Sequence, residues 1–364
     1  MSGLGYAGGN FIRASTSTRG PCCEINDVVI SGSLESAIRR GLRFMLANQL
    51  EDGYWSDWQL PPGASRMWTT AYVGYRLSSV PEPLSNLARL SLSRAAAWLA
   101  GVEFAEGGWG YNEEVGPDAD STALAILFLS LQGVPVRGRS YKRLRGFQGD
   151  DGGFATYTYE QSFGAWVTSH PDVTALAVPA LLTRYGRIEK FITRAENYAI
   201  ARIMPDGLWN SYWWNTPLYA TEANLSWLAR IKGSVPAATT RQTLLRIRPG
   251  NVFETALLVL SLLHLTCPPK HPVIVGWTNS LLDAQLSDSS WPSEPALRLP
   301  ARDCYQPWAA REPAPVFADP RRVFTSATVI AALSAAWDRA AHGRPHLEGS
   351  NVFSERDEPP DPSR

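Results

Sequence analysis

The residues best suited to chemistry in this chain stand together in Asp118-Ala119-Asp120-Ser121-Thr122-Ala123. Two carboxyl groups one residue apart oppose each other's ionisation, and apolar walls favour the neutral form, so such a pair keeps one proton at neutral pH. A proton held that way in a dry cavity is available for general acid chemistry. Beyond Thr122, the residues Leu124, Leu127, Phe128 and Leu131 recur at helical spacing, with Ala, Ile and Ser on the remaining faces. The acids therefore open a helix that is apolar nearly all round and so buried. Asp and Ser ahead of an apolar run are also ordinary N-cap residues, which is the plainer reading of the same positions.

The element that places this pair recurs along the chain. Five short segments repeat one six-residue offset to an aromatic residue: Gln49 to Trp55, Glu103 to Trp109, Gln148 to Phe154, Ile203 to Trp209 and Gln285 to Trp291. A Gly-containing turn precedes most of these aromatics, and each reads as a structural clasp between neighbouring helical hairpins. After each turn a second helix begins with small hydroxyl or acidic residues and Ala. Six such starts occur, at Trp68-Thr69-Thr70-Ala71, Asp120-Ser121-Thr122-Ala123, Asp172-Val173-Thr174-Ala175, Ala220-Thr221-Glu222-Ala223, Phe253-Glu254-Thr255-Ala256 and Phe324-Thr325-Ser326-Ala327. Polar helices such as Glu35 to Ala47 and Glu189 to Arg202 alternate with these apolar ones, which predicts an outer ring around an inner ring. The fold expected is all-α, an (α/α)6 barrel, that is, a toroid of six helical hairpins. Its fifth outer helix, in ATTRQTLLRIRPG, is short and lacks the clasp.

The expected boundaries are a loose N-terminal segment over 1–31, the barrel over 32–342, and a loose polar tail over 343–364. A Pro-rich connection at about 292–322 is too long for a hairpin loop and reads as a lid or covering arm. Lys plus Arg and Asp plus Glu balance at 34 each, so no overall field favours nucleic acid. Cys22, Cys23, Cys267 and Cys304 form neither a disulfide framework nor a zinc spacing and read as reduced thiols. The start of the chain has no basic segment followed by a long apolar stretch, and the longest apolar run, around Ala256 to Leu265, is too short to span a bilayer, so a cytoplasmic protein without an integral span is expected.

The clasps resemble the QW repeat of squalene-hopene cyclases, oxidosqualene cyclases and related class II terpene cyclases, most closely from Arg40 to Trp55, with weaker copies to Trp291. The resemblance implies a single cyclase β-type domain. It also bears on the acids, because class II cyclases carry a DxDD motif, usually followed by Thr-Ala, whose middle Asp protonates an alkene or epoxide. Asp118, Asp120 and Thr122-Ala123 fit that motif, and Ser121 replaces its last Asp. Asp120 is then the proton donor and Asp118 its partner, in a proton-initiated cyclisation or isomerisation of a linear isoprenoid, or of an isoprenoid attached to another scaffold.

Such a reaction needs aromatic faces to stabilise a carbocation without trapping it. Trp68, Trp166, Tyr212, Trp213, Trp214, Tyr219 and Trp308 are the candidate substrate-binding aromatics, lying outside the clasps or near the inner-helix starts. Asp172, which follows His170 and Pro171, joins them, and Glu222 and Glu254 near two other helix starts would complete an acidic mouth or serve as helix caps. The implied ligand is a hydrophobic isoprenoid, with no cofactor and no metal. Peripheral membrane contact and a homodimer remain open, since dimerisation, the Pro-rich arm or a buried centre must close the cavity of a single toroid. The same toroid resembles the β subunits of protein prenyltransferases, so a prenyl-transferring protein and a non-catalytic isoprenoid or lipid binder are the alternatives. A glycan-processing toroid does not predict the clasp.

Overall fold

The computed structural model describes residues 21–231 and 233–342, with side chains from residue 32 onward. The side chains of Cys22 and Cys23 and the tail 343–364 lie outside the described residues. Helices α2 (Met67–Leu77), α4 (Ala119–Leu131), α6 (Pro171–Leu182), α8 (Pro217–Leu228), α10 (Val252–His264) and α12 (Val323–His342) form an inner ring in which each packs on the next and α12 returns to α2. Around them lie α1 (Pro21–Ala47), α3 (Arg89–Gly101), α5 (Gly138–Arg145), α7 (Lys190–Ala201), α9 (Ala237–Arg246) and α11 (Pro272–Asp283), each against inner neighbours. The alternation of outer and inner helices closes six hairpins into a ring. Within the described residues helix α1 runs from Pro21 to Ala47.

Burial follows composition. Along α4 every residue from Ala119 to Leu129 except Asp120 is buried, as a helix apolar on all faces requires. The inner helices approach closely where side chains are small: a Cβ on Gly74 of α2 would come within 2.5 Å of the Phe128 ring on α4, so only glycine fits there.

The clasps work by a repeated set of hydrogen bonds. The indole N–H of Trp55 donates to Met45 O at 2.9 Å, that of Trp109 to Leu99 O at 2.7 Å, that of Trp209 to Ala199 O at 2.8 Å and that of Trp291 to Leu281 O at 2.7 Å, each ten residues upstream. Every one of these carbonyls lies in the last turn of an outer helix, where the intrahelical i to i+4 bonds run out. The backbone N–H of the clasp aromatic donates to a hydroxyl on the next inner helix: Trp55 to Thr70, Trp109 to Thr122, Phe154 to Thr174, Trp209 to Thr221 and Trp291 to Ser326. That bond explains the hydroxyl residue at five of the six helix starts; at the sixth, the Thr255 hydroxyl donates to Asn251 O instead.

The clasp glutamines reach both their own turn and the next outer helix. Gln49 donates to Gly53 O and Ser91 O, Gln148 to Gly152 O and Phe191 O, and Gln285 to Ser289 O and Ala37 O of α1, which ties the last hairpin to the first. Where Ile203 replaces glutamine, the Thr240 hydroxyl of α9 donates to Gly207 O instead. Each such bond contributes about 1 kcal/mol net.

The centre of the ring is closed by an ion pair and an aromatic cluster. Arg76 of α2 donates to both Glu222 oxygens of α8 at 3.1 and 2.6 Å, and His264 Nε2 lies 3.2 Å from Glu222 Oε1. Glu222 is 1% exposed, in the middle of α8, so it belongs to this core pair and not to an acidic mouth. Glu254 accepts from Gly250 N at 2.7 Å beside the N-cap Asn251 and serves the start of α10. Around the pair, Phe324 packs within 5.2 Å (ring centroids) of Trp58, Tyr72, Trp214 and Phe253.

The connection at about 292–322 folds across the end of the barrel where the inner helices begin. Two pairs of short strands decorate that end: β1 (Asp57–Leu60) with β2 (Gly63–Ser65), and β3 (Leu297–Arg298) with β4 (Val316–Phe317), both antiparallel. On its other side β3 is stitched to the segment before α8, with Arg298 N donating to Trp213 O at 2.7 Å and Asn215 N to Ala296 O at 2.8 Å. Among the described residues no helix is long and apolar enough to cross a membrane.

Candidate active site

A cavity of about 570 Å3 lies between the inner-helix starts and the arm, within the usual range for small-molecule sites. Asp118 and Asp120 both line it. Asp118 is the N-cap of α4: its Oδ1 accepts from Ser121 N at 2.7 Å and its Oδ2 from the Ser121 hydroxyl at 2.8 Å. The cap and the acid pair are thus one arrangement, and Ser121 has a definite task in it. Asp120 Oδ2 accepts the indole N–H of Trp68 at 3.0 Å. Burial is the main cause that pushes both carboxyls above the ordinary range, the neighbouring carboxyl adding to the rise of Asp118. The hydrogen bonds from Ser121 and Trp68 act in the opposite direction, favouring the charged form. Burial and the neighbouring carboxyl thus favour the protonated form in this pair, and Ser121 and Trp68 supply donors to its charged form.

The walls are aromatic. Of the candidates, Trp68, Trp166, Trp213 and Trp214 line the cavity, and Trp214 is wedged between Tyr219, at 4.3 Å, and Phe324, at 5.0 Å, both stacked. Trp213 donates its indole N–H to the Thr156 hydroxyl at 2.7 Å, and Trp166 donates to Pro300 O of the arm at 3.1 Å.

Four expected contacts lie elsewhere. Tyr219 is buried behind Trp214 as its support. Tyr212 stacks on His170 at 3.7 Å and donates its hydroxyl to Cys304 O, so it faces away from the cavity lining. Trp308 is 42% exposed and borders a separate surface depression with Tyr305 and Asp151. Asp172 is 2% exposed; its Oδ2 accepts from Tyr212 N and Trp213 N at 2.9 Å each, so it anchors the segment that carries Trp213. Burial pushes the Asp172 carboxyl up to about 6, with a small contribution from Asp120, and burial pushes His170 down to about 3, which keeps the imidazole neutral.

Several lining residues carry no helical periodicity and were not foreseen. Trp58 and Tyr111 are joined by a bond from the Tyr111 hydroxyl to Trp58 O at 2.9 Å. Tyr157, Gln161 and Phe163 belong to the connection TYTYEQSFGAW before α6, whose aromatic density was the one available signal. From the arm come Leu297, Arg298, Leu299 and Arg302, the last with its guanidinium 4.3 Å from the Phe163 ring centroid. Among the described residues no group of three or more His, Cys, Asp or Glu side chains is placed to hold a metal ion.

No model of a protein family and no curated protein matches the chain. Solved structures do. Variants of type II terpene cyclase MstE from Scytonema, one in complex with geranylgeranyl dihydroxybenzoate (substrate) and one with merosterolic acid A (product), each match at 23% identity and a TM-score of 0.73, over 85% of this chain and 99% of that one. A protein from Actinoplanes matches at 25% identity and a TM-score of 0.71, over 83% of this chain and 99% of that one. The ent-copalyl diphosphate synthase from Streptomyces platensis matches at 18% identity and a TM-score of 0.54, over 74% of this chain and 50% of that one. With its closed inner ring and full coverage of the MstE chain, the protein has the helical toroid fold of the type II terpene cyclases.

Proposed function

We propose that the protein is a proton-initiated, class II cyclase of a linear isoprenoid carried on a head group. The observation that carries the reading is the buried carboxyl pair Asp118–Asp120 set in an aromatic-walled cavity, with the Trp68 indole on Asp120. In the first step the Asp120 carboxyl gives its proton to the terminal double bond of the bound chain. One alkene carbon gains a C–H bond, its neighbour becomes a tertiary carbocation, and Asp120 is left as a carboxylate. The Trp68 N–H and the adjacent helix start stabilise that anion, and the Ser121 bonds hold Asp118 in place against it. The next double bond attacks the cation, forming a C–C bond and moving the charge along the chain past the faces of Trp58, Trp166, Trp213 and Trp214. A proton then leaves the carbon beside the last cation for solvent water, forming a double bond, and Asp120 takes a proton back from solvent, so the product is an isomer of the substrate.

The likeness to MstE, whose structures hold a geranylgeranyl dihydroxybenzoate substrate, favours a polyprenyl chain attached to an aromatic acid. Arm residues Leu297, Arg298, Leu299 and Arg302 supply one wall of the cavity. The test is conversion of farnesyl and geranylgeranyl chains, free, as diphosphates and on dihydroxybenzoate, followed by mass spectrometry and NMR. An isomeric product with fewer double bonds and new rings is expected from at least one. Binding of these compounds without turnover of any would replace this reading with that of an isoprenoid binder.

A further inference from the structure

Beyond the acid pair, the structure assigns a second functional pair, Arg298 and Asp172, as positioning residues that fix the Trp213–Trp214 wall and thereby set how far cyclisation proceeds. This inference rests on the cyclase reading above. The segment Ser211 to Trp214 has no regular structure of its own, yet two of its side chains form cavity wall. Every carbonyl along it accepts from Arg298: Ser211 O from Nη2 at 2.6 Å, Tyr212 O from Nε at 3.2 Å, Trp213 O from the backbone N–H at 2.7 Å, and Trp214 O also from Nη2. From the other side Asp172 Oδ2 takes the N–H groups of Tyr212 and Trp213. A cation gathers the carbonyls and an anion gathers the amides.

The arrangement is costly enough to need a reason. Arg298 is 6% exposed, and burying a guanidinium against neutral carbonyls is tolerated only where its donors are satisfied. A plain strand or turn would satisfy the same backbone groups without buried charge. What the charges add is rigidity of a short irregular segment, which locks two indole faces against the cavity. Because Arg298 comes from the arm and Asp172 from α6, the wall is set only when the arm is seated. Deeper cations, formed after the first ring closes, depend on an indole face held at a fixed place, whereas the initial protonation depends on Asp120 and Trp68.

The experiment compares wild type with Arg298→Lys, which keeps the charge but cannot fork to several carbonyls, in product ratio, kcat and KM, and incorporation of one deuterium from deuterated water. The expected result, whatever the change in total turnover, is one deuterium per product molecule as in wild type, with the share of partly cyclised or early-deprotonated products rising by about fivefold or more. Wild-type product ratios in a folded Arg298→Lys protein would overturn the assignment. Should that variant fail to fold, Asp172→Asn decides, since the amide oxygen can still accept the two N–H groups while the charge is gone; an unchanged product ratio there has the same meaning. A wild-type protein that yields no cyclic product would instead overturn the functional reading, and this assignment with it.

Discussion

Replacing Trp68 with Phe isolates one hydrogen bond at the proposed proton donor, Asp120. The ring of Trp68 stacks on Tyr72 at 5.3 Å and packs 5.7 Å from Phe324, contacts that phenylalanine largely keeps, whereas the indole N–H to Asp120 Oδ2 is lost. A hydrogen bond to a charged group contributes about 1.5–3 kcal/mol against about 1 kcal/mol for a neutral one. The bond therefore favours the Asp120 anion over the acid by about 1–2 kcal/mol, which is roughly a 5- to 30-fold effect on a step that creates the anion. Without it Asp120 is a weaker acid. In steady-state turnover, kcat should fall about tenfold with KM nearly unchanged, and the alkaline limb of the pH profile should move up by about one unit. A Trp68→Phe protein with wild-type kcat and an unmoved alkaline limb would refute the argument that this indole tunes the acid.

Ser121→Ala should slow turnover about three- to tenfold, because Asp118 loses the hydroxyl donor at 2.8 Å but keeps the backbone N–H at 2.7 Å; the comparison of rates checks it. Glu222→Gln removes the carboxylate charge opposite Arg76 in the ring centre and should cost about 3–5 kcal/mol in denaturant unfolding, as breaking a buried pair does. Stability should also depend on pH through the buried carboxyls. Burial pushes Asp57 up to about 7, where Asp319 also opposes its charge, and Asp172 up to about 6. The folded protein then binds more protons than the unfolded chain between roughly pH 4 and 7, so stability falls as pH rises through that window. A melting temperature higher at about pH 5 than at about pH 8 is expected, and the reverse order would contradict these burial effects.

What the sequence made legible was set by local rules. Trp55, Trp109, Trp209 and Trp291 could be recognised because each indole must reach a carbonyl ten residues back, which fixes the spacing of helix end and turn. Thr70, Thr122, Thr174, Thr221 and Ser326 were visible for the complementary reason. Asp118 and Asp120 stood out because they share a helix start. Asp172 looks equivalent in sequence, but its carboxylate is committed to the amides of Tyr212 and Trp213, a contact across forty residues that no local pattern encodes. The same limit applies to Arg298, whose partners lie more than eighty residues away, and to Trp58 and Tyr157, which reach the cavity from irregular segments. Glu222 shows the converse error: its place near a Thr-Ala start suggested a rim, whereas the start of α8 lies at Pro217 and puts it in the ring's interior.

The central claim is that Asp120 delivers a proton to a carbon–carbon double bond. The direct measurement is incubation of wild type and Asp120→Asn with a polyprenyl dihydroxybenzoate in deuterated water, reading product mass and the position of label. The account predicts a cyclic isomer bearing one deuterium at the former terminal alkene for wild type, and binding without product for Asp120→Asn. A labelled cyclic product from both proteins, or an unlabelled one from wild type, would contradict it.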